Sequence, residues 1–142
     1  MNRSCGILLH ITSLPSRYGI GNLGREAYNF IDFLHAAGQS YWQILPIGPT
    51  GYGDSPYQSF STFAGNPYLI DPDRLIQQGW LTQNEVDGVS WGQQPDQVDF
   101  QLLYQQRLPL LRKAYERFRQ APPASFSRFC QAEQDWLEDY VL

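Results

Sequence analysis

The sequence predicts an α/β fold organised around a pair of parallel strands, and three features predict it. Two apolar runs, Gly6 to Leu14 (GILLHITSL) and Tyr41 to Ile47 (YWQILPI), have the length and apolar, partly β-branched content of buried strands. Between them, Arg25 to Ala37 carries a single apolar stripe at helical spacing, long enough to cross over from one strand to the next. Strands joined that way run parallel, with a right-handed connection. The second run then breaks into Gly48 to Gln58 (GPTGYGDSPYQ), a loop dense in Gly, Pro, hydroxyls and rings. Such a loop after a strand is where α/β folds usually keep their binding surface.

In chain order, the first strand ends at Pro15, and Pro15 to Asn22 is a loop. In the helix that follows, Ala27, Phe30, Ile31, Leu34 and Ala37 form the stripe. Glu26 stands in the first turn, where the helix dipole favours a carboxylate, and Gly38 is placed to end the helix at positive φ. Beyond the loop the chain is expected to return to extended apolar chain at Asn66 to Ile70. Asp71, Pro72 and Gly79 read as N-cap, first residue and stop of a short helix. Thr82-Gln83-Asn84-Glu85 is a capping box opening another. Gly88 to Asp96 is a loop. Phe100 to Arg119 is a helix with Tyr104, Leu108, Leu111, Tyr115 and Phe118 on its apolar face, and Pro109 inside it predicts a kink or a restart. Ala121-Pro122-Pro123 is a break, and Phe126 to Leu142 is the last helix, with no capping residue to end it at Leu142. Two buried parallel strands need neighbours, and a barrel of eight takes about 250 residues, so these 142 residues are expected to be part of a larger fold.

Composition narrows the function classes. Net charge is −4, which speaks against nucleic acid and anionic membranes as partners. Basic residues cluster only at Arg107 to Arg119, where Arg112, Lys113, Arg117 and Arg119 read as a solvated helix face. The run Gly6 to Leu9 is cut by His10 and is too short for a signal peptide or a membrane span. Cys5 and Cys130 form no CxxC pair, so neither a zinc site nor a disulfide framework is expected, and reduced thiols in a cytoplasm are the default. Aromatics make up 15% of the chain and many fall in the predicted loops, where rings serve either as packing or as platforms for flat sugar faces.

Two motifs imitate nucleotide sites and fail on chemistry. Gly19-Ile20-Gly21-Asn22-Leu23-Gly24 matches G-x-G-x-x-G, but Pro15 to Tyr18 separate it from the strand, and no acid follows about twenty residues on to hold a ribose. Gly48 to Ser55 has the spacing of a phosphate loop, but Asp54 stands where Lys is needed and would repel phosphate. His10, near the end of the first strand, reads either as a hydrogen-bonded core histidine or as a sugar ligand. His35 lies on the helix with no partner that the sequence names.

Taken together, GILLHITSLPSRYGIGNLG, AYNFIDFLHAAG and YWQILPIGPTGYGDSPYQSFSTFAGNPYLID resemble the start of the 4-α-glucanotransferases, the bacterial amylomaltases and plant disproportionating enzymes of the α-amylase clan. The resemblance is strong from Arg3 to about Gly79 and looser to the end, where SFSRFCQAEQDWLEDYVL also looks like the family. It implies the N-terminal part of a (β/α)8 barrel with a helical insertion: residues 1–79 as the first βαβ unit with the substrate-cleft loop, and 80–142 as the insertion. It implies retaining transfer of α-1,4-glucan segments between maltooligosaccharides, with no cofactor and no metal. It also implies that Ser55, Pro56 and Tyr57, with Gln58 beside them, line the donor side of the cleft, Tyr57 stacking on a glucosyl ring and Ser55 bonding a hydroxyl; the plainer alternative is a rigid loop that only shapes the cleft. Asp54 and Asn66 are expected to hold that loop by side-chain bonds to backbone.

Retaining transfer needs two carboxyl groups about 5–5.5 Å apart at the strand ends. The predicted strands end in Thr12-Ser13-Leu14 and Ile47-Gly48, which supply none. No residue of this chain is therefore assigned a catalytic role, and the chain by itself is expected to be inactive. The alternative is a non-catalytic glucan-binding module or remnant.

Overall fold

The computed structural model describes residues 3–92, 94 and 96–141. Strand β1 (Gly6–Leu8) pairs in parallel with β2 (Tyr41–Gln43), with Gly6 opposite Tyr41 and Leu8 opposite Gln43. Helix α1 (Arg25–Ala36) crosses between them. The remaining helices are α2 (Pro72–Gln77), α3 (Gln83–Asp87), α4 (Phe100–Phe118), α5 (Ala124–Ala132) and α6 (Gln134–Tyr140). The stretch expected to be extended at Asn66 to Ile70 instead holds a 3-10 turn at Pro67–Leu69, because the Asn66 side chain caps it and Tyr68 and Leu69 turn into the core.

Both strands are shorter than their apolar runs. Past Leu9, whose N–H donates to the Gln43 carbonyl at 3.0 Å, the chain turns into a 3-10 turn at Ile11–Ser13. The apolar residues of that turn go into the core: Ile11 and Leu14 pack with Ala27 and Leu69, with Leu9, Phe30 and Trp42 against them. Thus β-branched content predicted pairing where the residues instead fill a turn. β2 stops before Pro46, which has no N–H to add to a ladder. The strands are also not buried: Leu8 is 60% and Tyr41 65% exposed. Parallel strands are covered by layers on both faces, and a single crossover helix supplies one.

Helix α1 follows its pattern. Ala27 and Leu34 are buried, Phe30 meets Trp42 edge-on at 5.0 Å, and Gly38 takes φ 68° just past the end. Ile31, counted on the same stripe, is half exposed.

Helix α4 presents a different face from the one its apolar letters predict. Leu103, Arg107, Leu110 and Ala114 are buried, whereas Tyr104 and Tyr115 are exposed. The spacing is still helical. The inner stripe contains an arginine, which a reading of hydrophobic letters excludes, and this moved the predicted face around the helix. Pro109 lies on the exposed side and neither breaks nor restarts α4, because the carbonyl left without a donor there faces water. A core of Tyr18, Leu81, Val86, Leu110 and Ala114 joins α3 and α4 to the loop after β1.

The basic face of α4 is only partly solvated. Arg112 and Arg119 are exposed. Arg117 grips Glu85 through two N–H···O bonds of 2.7 and 2.8 Å and also donates to the Trp80 carbonyl, while Lys113 reaches Glu85 at 3.3 Å. The Arg117 guanidinium first, then the Thr82 N–H, hold the Glu85 carboxyl far below the usual carboxylate range. Glu85 is also half of the capping box predicted at Thr82. Thr82→Ala removes the hydroxyl that accepts the Glu85 N–H, and is expected to lower stability by about 1 kcal/mol in urea denaturation.

The final helix is two helices rather than one. The chain breaks at Glu133, with φ −109° and ψ 12°, and its carboxylate accepts from Trp136 Nε1–H at 2.6 Å. None of α5 or α6 is fully buried, so the apolar face that helical spacing predicts from Phe129, Cys130, Trp136, Leu137, Tyr140 and Val141 covers no core cluster among the described residues. The expected lack of a cap at Leu142 lies outside the described residues, as do parts of the predicted Gly88 to Asp96 loop.

Candidate functional site at the strand ends

Because β1 and β2 are parallel, both leave the sheet at the same end, and the Gly48 to Gln58 loop lies there. Its conformation is set locally. Thr50 and Ser59 form an antiparallel bridge that closes the loop. Within it, Gln58 N–H donates to the Ser55 carbonyl at 3.1 Å, and Asp54 N–H to the Gly51 carbonyl at 3.2 Å. Asp54 sits at φ 53°, and the Thr50 hydroxyl donates to its carboxylate at 3.2 Å. The expected bond from Asp54 to backbone is thus a bond to a side chain, since the left-handed turn aims its carboxylate back at Thr50. Asn66 does what was expected: its side chain accepts the Tyr68 N–H at 2.9 Å, and its own N–H donates to the Ile47 carbonyl at 2.8 Å. The loop is therefore pinned at its base and across its middle.

Ser55, Tyr57 and Gln58 are brought into one turn. Ser55 is half-buried, Gln58 is exposed, and Tyr57 is 72% exposed with its ring in solvent. Nearby on the same loop, Tyr52 is fully exposed. Beneath the turn is a cavity of about 210 Å³, lined on one side by His10, Thr12 and Ser13 and on the other by Thr50, Asp54 and Pro56. Tyr68 closes its wall, its hydroxyl pushed above the ordinary tyrosine range by burial and by the charge of Asp54. Burial lowers the imidazole of His10 below the ordinary histidine value, so its neutral form is favoured. The cavity holds one carboxylate, Asp54, among its lining residues.

A larger groove, about 770 Å³, lies between α1 and α2 and is lined mainly by apolar groups such as Ala27, Ile31, Trp42 and Leu75. It lacks the convergence of polar groups that marks a specific small-molecule site. Among the described residues no cluster of three or more His, Cys, Asp or Glu is placed to hold a metal, and no helix is long and apolar enough to cross a membrane. The G-x-G-x-x-G stretch is not a phosphate cradle. Gly21 N–H is spent on the Thr12 carbonyl, Gly24 N–H on the Asn22 side chain, and the Asp71 carboxylate packs against Gly24 at the start of α1. His35 is exposed in the last turn of α1.

Sequence reasoning missed Arg107, which braces this end of the fold and is fully buried. It donates to the carbonyls of Tyr18 and Ile70, one on each side of the strand-end region, and its guanidinium lies 5.7 Å from the centre of the Trp91 ring. The available signal was its position, four residues after Leu103 and three before Leu110.

Comparison with known proteins gives a consistent picture. A family profile described as 4-alpha-glucanotransferase matches residues 9–142. A 4-alpha-glucanotransferase of Thermus thermophilus is 52% identical over 144 residues, covering 99% of this chain and 28% of the relative. One from Clostridium butyricum is 49% identical over 134 residues, covering 94% of this chain and 28% of the relative. Among solved structures, amylomaltase from Streptococcus agalactiae in complex with acarbose superposes with a TM-score of 0.91 at 47% identity, covering 98% of this chain and 28% of that one. The chain spans little more than a quarter of the length of the relatives it matches.

Proposed function

This chain belongs to the 4-alpha-glucanotransferase family, and from that premise we propose that it forms the N-terminal wall of a maltodextrin cleft in a retaining (β/α)8 transferase. Residues 1–79 supply the first βαβ unit and the cleft loop, and residues 80–142 a helical excursion beside it. The observation that carries this reading is Tyr57: an exposed ring on a loop braced at its base, at the end where both parallel strands finish. A ring held in that way offers its face to a glucosyl unit at little cost in ordering. Ser55 and Gln58, in the same turn, supply a hydroxyl and an amide for sugar hydroxyls. The acarbose of the similar amylomaltase supports a saccharide as the ligand class.

The same geometry limits the chemistry. Retention of configuration takes a carboxylate nucleophile and a second carboxyl group as acid and then base. The strand-end cavity offers one, Asp54, already engaged by Thr50. The reacting pair is therefore assigned to residues beyond these, and the 142-residue chain is inactive alone. The reaction needs no cofactor or metal, and free Cys5 and Cys130 support a reducing, cytoplasmic setting.

Two measurements test the reading. Incubated with maltotriose, the chain alone is expected to yield neither longer oligomers nor glucose; turnover would sink the claim of inactivity. Titrated with maltoheptaose, its Trp fluorescence is expected to change saturably, and Tyr57→Ala to weaken binding about tenfold. Absence of any saturable change would leave the non-catalytic remnant in its place.

A further inference from the structure

We infer that His10 is a sugar-contacting residue, its imidazole hydrogen-bonding a hydroxyl at the edge of a glucosyl unit that enters the strand-end cavity. This rests on the glucan reading of the loop and adds to it a residue on a different element. A histidine at the end of an apolar strand is ordinarily a packed ring fixed by a hydrogen bond. His10 is packed but not so fixed: among the described residues its buried Nδ1 has no partner. A buried polar atom left unpaired costs on the order of 1–3 kcal/mol, so such atoms in folded proteins are usually explained by something that comes to them.

The neighbours of His10 show what can come. The ring lines the cavity together with the hydroxyls of Thr12, Ser13 and Thr50. Asp54 is taken up by the Thr50 hydroxyl, and the Asn66 amide oxygen by the Tyr68 N–H. The His10 Nδ1 is the buried lining atom left without a partner among the described residues. At about 210 Å³ the cavity falls below the roughly 300–1,000 Å³ of sites that engulf a whole ligand. It suits one edge of a sugar whose face lies against the loop. Burial favours the neutral ring, which has one donor and one acceptor and so matches a hydroxyl in either sense. The backbone is itself fixed, with the Leu9 carbonyl held by Trp42 Nε1–H at 2.7 Å and the His10 carbonyl by Ser13 N–H at 3.0 Å.

The chain contains two histidines, so the test has an internal control. In long-range 1H–15N spectra of the imidazoles, maltoheptaose is expected to shift the His10 nitrogens saturably. The midpoint should match that of the fluorescence titration, with His35 unmoved. His10→Phe should weaken binding roughly fivefold, the worth of one neutral hydrogen bond, and His10→Gln should recover most of that loss. If fluorescence reports binding that depends on Tyr57 while the His10 nitrogens stay still, the cavity holds water only and the inference is overturned, with the glucan reading intact. If no saturable fluorescence change occurs, both fall. The spectra of the unmodified chain decide the matter even where His10→Phe fails to fold.

Discussion

Arg107→Met is expected to destabilise the chain by about 3 kcal/mol in chemical denaturation, while Arg112→Met on the same helix changes stability by no more than a few tenths. The substitution keeps most of the side-chain volume and removes the donors. Two carbonyls, of Tyr18 in the interior and of Ile70 at its edge, then lose the guanidinium that each accepts from, and a buried acceptor left unpaired costs on the order of 1–3 kcal/mol. Burial pulls the Arg107 pKa down to about 10, helped back by the nearby Asp71 charge, so the group stays protonated at neutral pH in spite of its desolvation. Its loss also removes the cation over Trp91. Arg112 makes no such contacts and is exposed. Equal midpoints for the two variants would show that Arg107 braces nothing. Because Arg107 ties α4 to both chain segments beside the strand-end cavity, the damaged variant should also bind maltoheptaose more weakly than Arg112→Met.

Gly21→Ala is expected to cost a similar amount, about 3 kcal/mol, seen as a fall in Tm of roughly 10 °C. Here the cause is steric. Gly21 lies where the loop after β1 folds back onto the 3-10 turn, its N–H on the Thr12 carbonyl at 3.1 Å. An added Cβ would sit 2.8 Å from the Leu14 nitrogen and 2.9 Å from its oxygen, and closer still to the Ile11 carbonyl oxygen. All three are backbone atoms and cannot swing aside as a side chain can. Gly65→Ala is the control: nothing lies within 4 Å of its added Cβ, and the melting temperature should hardly move. An unchanged melting temperature for Gly21→Ala would mean that the turn yields without strain.

The elements were legible where the local chemistry is self-sufficient. Asp71, Thr82 and Gly38 act within one turn of chain, and each caps or stops its helix as its letters say. The crossover helix was legible from its clean helical stripe, and the parallel pairing from the place of that helix between two apolar runs. The extent of the strands was not, because Ile11 and Leu14 are as apolar as any strand residue and only the packed turn shows that they are core. The face of α4 was misread for a related reason. A buried arginine is polar in any alphabet, and its partners are backbone carbonyls 89 and 37 residues away.

The candidate site divides the same way. The choice of Ser55, Pro56 and Tyr57 within the loop comes from the family resemblance; from the residues alone come the loop after β2, the failure of both phosphate motifs and the lack of paired carboxylates. These depend on residue type and short spacing, which a chain displays before it folds. Tertiary structure alone places His10 under the loop without a partner, sets Asp54 on Thr50 and buries Arg107 behind them. Those facts turn on which polar groups find partners once water is excluded, and partners distant along the chain meet only when it is folded.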